Sequence, residues 1–593
     1  IPQSVMEASA AAGGCISALG DVKWTMTKTK ELPPQKDRSQ ELPRIGVFVC
    51  NCGINIGGLL SVPALKEYAA TLPNVVMVDD NLFTCSQDTQ DKMLQVIKEQ
   101  NLNRVVVAAC TPLTHEPLFR ETIMDAGLNK YMFEMANIRN QDTWVHMKEY
   151  DAATEKAKHL IKMAVARASV LKPLVEKPLN IIPKALVVGG GIAGMNAALN
   201  LADQGFTTVL VEKDAELGGV ARRIHHTIEG MDVPAYLADL VQKVKSHDKI
   251  ELYTGAEVVG FGGYKGNFNT NLKIGAEEKT IDHGVVVIAT GGHEYRPKEF
   301  LYGEDSRVMT QLELGEKIHT AKGEVAKWNQ AVFIQCVGSR NEENPNCSRV
   351  CCQGAVKYAL QLKELNPAMD VVILYRDMRT YGVLEDYYRQ ARDKGVIFAR
   401  FDPEKAPQVN KEGEAISVTF IDHVLQLPIK INPDALILSA GVMANDTEKF
   451  ATMLKLPRNA FGYFIEAHAK LRPVDFASEG IFLCGLAHAP KLISESIAQA
   501  MGAAARAGGF LSDTKQTISG VVSHVDPKHC AACLVCVRSC PYNVPQINED
   551  NVSEINEAIC QGCGICAAEC PGNTIQLSHY EDDQITASIL AFS

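Results

Sequence analysis

Short, unbroken apolar runs alternate along the chain with amphipathic stretches, the pattern of parallel strands buried on both faces and joined by helices. VFVC (47–50) and VVVAAC (105–110) are two such runs near the start. From 185 the order is clearest: ALVVGGGIAGMNAALNLADQGFTTVLVEK reads strand, glycine turn, amphipathic helix, strand. VVVIATGG (285–292) adds a strand closed by glycines. A second series follows in AVFIQCVGSR (331–340), CCQGAVKYALQLKEL (351–365), DVVILYR (370–376) and DALILSAG (434–441). GIFLCGLAHAPKLISESIAQAMGAAARA (480–507) then reads strand, glycine, Ala-rich helix. The predicted class is α/β.

Composition narrows the functions. At about 100–200 residues per domain, 593 residues make roughly three to five domains. The net charge of −11 opposes nucleic-acid binding, which needs a basic face. No apolar run approaches the ~18–20 residues that cross a bilayer, so no integral membrane segment is predicted. The 18 cysteines change the picture most. In a large chain with CxxC clusters they point to metal-held thiolates in a reducing compartment.

The tightest group is C-terminal. Cys530, Cys533, Cys536 and Cys540, followed by Pro541, form C-x2-C-x2-C-x3-C-P, and Cys560, Cys563, Cys566 and Cys570 with Pro571 repeat it. This is two-cluster ferredoxin spacing, in which the fourth cysteine of each run serves the other cluster. The expected sets are Cys530, Cys533, Cys536 with Cys570, and Cys560, Cys563, Cys566 with Cys540; zinc is the alternative. Cys336, Cys347, Cys351 and Cys352 form C-x10-C-x3-C-C, read as a third cluster or as buried or redox-active thiols. Cys50, Cys52, Cys85 and Cys110 adjoin apolar runs, so they either meet at one edge of a parallel sheet or pack as small core residues. Cys15 and Cys484 are read as packed.

Gly189, Gly191 and Gly194 spell G-x-G-x-x-G directly after an apolar strand, and Glu212 with Lys213 ends the next strand. Such glycines let backbone N–H groups approach a pyrophosphate at a helix N-terminus, while the acid accepts a ribose hydroxyl. Gly218 and Gly219 can admit an isoalloxazine ring, Gly291 closes a strand returning over the dinucleotide, and Gly485 opens the last segment; together these argue FAD. That last segment resembles the one in thioredoxin-reductase-like flavoproteins, with Leu486 where they carry an acid. Such proteins nest a second nucleotide fold for NAD(P)H. Here its glycine turn is replaced by Cys336 and Gly338–Arg340, and a cluster there exchanges a hydride donor for a one-electron wire.

VCNCG, AACTPLTHEPLF, the VGGGIAGM…VEK…LGGVARR run, CVGSRN…CSRVCCQGAVKYA and the ferredoxin repeat together resemble the A subunit of heterodisulfide reductase and its relatives. The likeness covers residues 44–593. It implies a thioredoxin-reductase-like two-dinucleotide flavoprotein core, an N-terminal α/β cluster domain and a C-terminal two-cluster ferredoxin domain. It also implies FAD and four [4Fe–4S] clusters, two of them on the Cys336 and Cys50 sets, and Lys357 bonded to flavin N5. The function implied is flavin-based electron bifurcation between ferredoxin and a second acceptor. The implied partners are ferredoxin, heterodisulfide-reductase B/C-like subunits and hydrogenase-, NADH- or formate-linked input subunits, in a soluble complex containing a homodimer. The implied location is cytoplasmic, although some relatives serve membrane quinone complexes. The stretch after Gly219 carries no cysteine, as in a short form without an inserted ferredoxin.

The expected segments are a helix and linker (1–43), the N-terminal cluster domain (44–150), a connecting helix (151–182), the FAD domain (183–515, nested fold about 302–445) and the ferredoxin (516–593). IPQSVMEASAAAGG parallels 492–507, so residues 1–20 read as the closing helix of another flavin domain in a longer polypeptide; a short surface helix is the alternative. Two rival functions are a wiring subunit that does not bifurcate and an NAD(P)H-dependent disulfide reductase. The latter needs an intact second glycine turn and a CxxC outside the ferredoxin, and has neither.

Overall fold

Two five-stranded parallel sheets carry the middle of the chain on one plan. The computed structural model describes residues 2–27 and 30–592. In the first sheet Lys184–Val188 lies between Val285–Ile288 and Thr207–Val211, with Ile481–Leu483 and Ile250–Tyr253 at the edges. In the second, Gln330–Val337 lies between Ala435–Ala440 and Asp370–Tyr375, with Val308–Thr310 and Ile397–Arg400 outermost. Each chain path makes a three-stranded antiparallel excursion before its returning strand, over residues 256–283 in the first and 408–431 in the second.

The apolar runs explain the layering. Val187, Leu210 and Val287 enter one core while Leu186, Val188, Val209 and Val286 enter another on the opposite face. Phe333, Ile373 and Ile437 likewise separate from Val332, Leu374 and Leu438. Continuous Val/Ile/Leu runs are what a strand covered on both faces requires. The helix Ile192–Asp203 starts at Gly191 and buries Met195, Ala198 and Leu201.

The chain divides into two compact units, Ile1–Thr25 with Asn180–Gln516, and Met26–Leu179 with Thr517–Ser593. In the flavin-type unit the helix Pro2–Ala18 lies against Ile493–Leu511 at a small-residue seam. A Cβ on Gly13 would stand 2.9 Å from the Met501 carbonyl, and one on Gly502 3.0 Å from that of Met6. The helix buries Met6, Ala10 and Gly13. Cys15, expected to pack, falls off that face and is exposed, whereas Cys484 is buried.

In the other unit a parallel sheet runs in the order Val75–Asn81, Ile45–Cys50, Arg104–Ala109, Phe133–Asn137. The helix Tyr150–Ser169 buries Ala153, Ala157, Ile161 and Ala168 in the same core. The C-terminal helix Asp582–Phe592 rests on it, where Ser588 Oγ donates to the Met163 carbonyl at 3.2 Å. Arg167 donates to the His579 carbonyl and pairs with Glu134. The ferredoxin-type segment carries two short antiparallel strand pairs, Ser523–Val525 with Ile575–Leu577 and Pro545–Ile547 with Ser553–Ile555.

Candidate functional site

The first glycine turn is tight at Gly189 and Gly194, where nothing larger fits, while Gly191 faces open space. A Cβ on Gly194 would stand 1.8 Å from the Gly189 carbonyl oxygen, and one on Gly189 2.2 Å from that of Ala289. The turn opens on a crevice of about 690 Å³, within the range of cofactor sites. Gly189, Gly191, Glu212, Lys213, Gly218, Gly219 and Gly291 line it. Gly194 and Gly485 stand behind its wall; a Cβ on Gly485 would lie 2.7 Å from that of Ala193. The buried Glu212 carboxylate accepts from the N–H of Gly190 at 2.6 Å and of Asp214 at 2.9 Å, which fixes it in the crevice. Thr290 and Thr447 line the crevice with buried hydroxyls that have no hydrogen-bond partner among the described residues. A dinucleotide fits this arrangement: backbone N–H groups for its phosphates, an acid for its ribose and unpaired hydroxyls along its length.

A second cavity of about 450 Å³ adjoins the crevice, and Val220, Ile224, Leu486, Lys491 and Ile493 belong to both. Its far wall is the helix Val350–Leu365, which contributes Val350, Gln353, Gly354 and Lys357 and carries Cys351 and Cys352 in its first turn. Lys357 donates to the His226 carbonyl at 3.0 Å and lies 4.0 Å over the Tyr358 ring, and burial pulls its amine down to about 8. Burial also pushes the Glu294 carboxyl up, against the pull of Arg223 at 3.3 Å.

Lys491 escapes the sequence motifs. Its Nζ donates to the carbonyls of Gly485 at 2.9 Å and Ala489 at 3.0 Å, and burial pulls it down to about 7. One signal did exist: a cation just ahead of a helix N-terminus is electrostatically misplaced.

The cysteines converge by set. Cys530, Cys533, Cys536 and Cys570 line one small cavity, so the fourth cysteine of the second run joins the first three of the first. Burial, then Cys560, Cys540 and Cys563, pushes up the thiol of Cys566. Burial and the nearby Cys352, Cys336 and Cys347 push Cys351 well up. Cys50 ends its strand, Cys110 directly follows Arg104–Ala109, and Cys85 follows Val75–Asn81. All are at the C-terminal edge of the sheet, beside the point where strand order reverses. Burial raises Cys85, with Cys50 and Cys52 adding to the effect, and Cys110 feels Cys50 and Cys85. Among the described residues no group of three or more His, Cys, Asp or Glu side chains is set to hold a single metal ion. Buried thiols such as Cys85, Cys110, Cys351 and Cys566, which resist ionisation alone, are suited to an iron–sulfur core that takes up their charge.

Residues 183–503 match the family of pyridine nucleotide-disulphide oxidoreductases, and residues 523–571 match a 4Fe-4S dicluster domain. The thioredoxin reductase of Lactococcus lactis is similar in structure, 17% identical, with a TM-score of 0.39 over 55% of this chain and 98% of that one. In sequence the chain is 36% identical to the A subunit of the H(2):CoB-CoM heterodisulfide,ferredoxin reductase of Methanothermobacter thermautotrophicus, over 88% of this chain and 93% of the relative. It is 35% identical to the CoB--CoM heterodisulfide reductase iron-sulfur A subunit 2 of Methanopyrus kandleri, over 86% and 92%. Fold and site define a flavin- and iron–sulfur-dependent electron-transfer oxidoreductase. The chain belongs to the family of heterodisulfide reductase A subunits.

Proposed function

We propose that the chain is the electron-bifurcating subunit of a heterodisulfide-reductase-like complex, dividing electron pairs between ferredoxin and a second acceptor. The observation that carries this is the shared wall: the helix bearing Cys351 and Cys352 also lines the cavity that adjoins the dinucleotide crevice. Relatives named for both a heterodisulfide and ferredoxin support two acceptors. In this reading FAD lies across the crevice and second cavity, and four [4Fe–4S] clusters occupy the Cys50, Cys336, Cys530 and Cys560 sets, the last two completed by Cys570 and Cys540. A bound flavin supplies the conversion between two-electron and one-electron transfer. The chain's residues supply the rest. Gly189, Gly191 and Gly194 bring backbone N–H groups to the phosphates, Glu212 holds the ribose, and Lys357 presents an amine to the ring.

Other subunits complete the complex: B/C-like subunits on the output side and a hydrogenase-, formate- or NADH-linked module on the input side. The location is the cytoplasm, and no helix among the described residues is long and apolar enough to cross a membrane. The two cluster-bearing segments of the second unit and the FAD domain with its nested fold are the working modules.

Stepwise reductive titration of the purified protein, followed by visible absorbance and EPR, tests the reading. The expected result is a flavin reduced in a single two-electron step with crossed one-electron potentials. Two well-separated one-electron steps would replace bifurcation with simple wiring.

A further inference from the structure

We infer that Lys491 supplies the countercharge of the flavin, presenting its ammonium where the dinucleotide crevice meets the second cavity so that reduction of the ring is favoured. This rests on the flavin reading above.

The first support is position. Lys491 lines both cavities, beside Leu486, which replaces the acid usual after the glycine of this segment. The second is the absence of an ion pair among the described residues. Its Nζ donates to the Gly485 and Ala489 carbonyls at 2.9 and 3.0 Å and stands 3.4 Å from His488 Nδ1, all neutral acceptors. The nearby carboxylates are committed elsewhere. Glu495 binds the Arg349 guanidinium and the Leu492 N–H, and Glu466 accepts from the Val474 N–H at 2.9 Å and faces His488 Nε2 at 3.8 Å.

The third support is the helix Ile493–Leu511, whose N-terminus begins two residues later and adds positive polarity to the same place. A cation with neutral partners, a helix N-terminus beside it and Arg349 close by is an unfavourable assembly until an anion joins it. Reduction of a flavin by two electrons with uptake of one proton leaves one negative charge on the ring. An ammonium nearby favours that form and raises the potential.

The test uses the full-length, flavin-loaded protein and two readouts independent of turnover: the two-electron midpoint potential of the flavin, and its affinity for sulfite, an anion whose addition a nearby cation favours. Lys491→Met is expected to weaken reduction about tenfold or more, which for a two-electron couple is a fall of about 30 mV, and to weaken sulfite binding in parallel. Lys491→Arg is expected to keep both near wild type. A Met variant that holds flavin at the wild-type potential and sulfite affinity overturns the inference, and so does an Arg variant that falls as far as Met. Lys491→Gln, which keeps a hydrogen-bond donor and removes the charge, is measured alongside. Loss of flavin from Met and Gln but not Arg supports the charge, and loss from all three overturns it. Wild-type protein that takes up no flavin on reconstitution defeats the functional reading itself, a result distinct from flavin bound at an unshifted potential.

Discussion

The two five-stranded sheets of the flavin-type unit share the order of four strands, the excursion and the returning strand; they differ in the strand outside the returning one, which comes last in the first sheet and first in the second, and at one turn. After Val188 the chain needs only Gly189–Gly191 before the helix begins at Ile192. After Val337 it runs through residues 338–349 before Val350 starts the corresponding helix. That longer turn holds Arg340 and Arg349 at positive φ, with Cys336 just before it at φ 65°. Non-glycine residues pay for such backbone with strain and persist where surrounding structure fixes them. Both turns lie at C-terminal strand ends, outside the sandwiched cores, so one scaffold accepts a short glycine turn in one copy and a longer turn bearing cysteines in the other.

The sharpest break of this comparison is functional. With no glycine cradle in the second fold, anaerobic mixing of the isolated chain with NADH or NADPH is expected to leave the flavin oxidised. Rapid bleaching would mean that the second turn still binds a nicotinamide nucleotide. Next in size is the quartet itself. Cys351→Ser is expected to remove one cluster's iron and sulfide and its EPR signal while flavin content holds; unchanged iron would return Cys351 to the role of a packed thiol.

Paired glycine substitutions sharpen the contrast further. Gly194→Ala forces a Cβ into the Gly189 carbonyl, against rigid backbone, and is expected to weaken flavin binding about 100-fold, about 3 kcal/mol. Gly354→Ala, in the matching helix, meets the Gln311 side-chain amide, which can shift at the cost of its bonds to Ser439 and the Cys351 carbonyl. The expected cost is about 1 kcal/mol of stability, with flavin binding weakened much less than by Gly194→Ala. Flavin fluorescence on reconstitution and urea unfolding measure the two; equal losses would mean that the two turns are equally constrained.

What could be read from sequence was whatever spacing alone encodes. G-x-G-x-x-G after a strand and the Cys-Pro repeats are local patterns whose geometry follows from a few residues. The meeting of Cys50, Cys52, Cys85 and Cys110 depends instead on the order in which three strands pair, which no local window contains. Lys491 was missed for a related reason: its carbonyl partners are near in sequence, but its role comes from two cavities whose walls span residues 188 to 497. The joining of the C-terminal helix to Tyr150–Ser169 rests on contacts such as Ser588 with Met163, again beyond local pattern. Cys15 was misjudged because small neighbours identify a helix but not which of its faces is covered.

The excursions differ as well, and pH separates them. The first buries His283, whose Nδ1 donates to the Val285 carbonyl at 3.0 Å while Nε2 meets the Thr270 hydroxyl at 2.8 Å. The second buries Ile416, Val418 and Phe420 and leaves His423 exposed. Burial pulls His283 from 6.5 down to about 4, so the imidazole stays neutral in the fold well after it would protonate in the unfolded chain. Its contribution to stability is therefore complete above pH 6.5 and is lost as pH falls towards 4. At pH 5 the loss is about 2 kcal/mol. His283→Gln can keep one donor and one acceptor without titrating, so urea unfolding at pH 7 and pH 5 is expected to show a shallower acid loss than wild type by that amount. His488, held neutral by burial down to about 3, adds the same slope to both proteins and cancels in the difference. Equal acid losses in wild type and variant would remove His283 as the source and leave the two excursions alike in their response to pH.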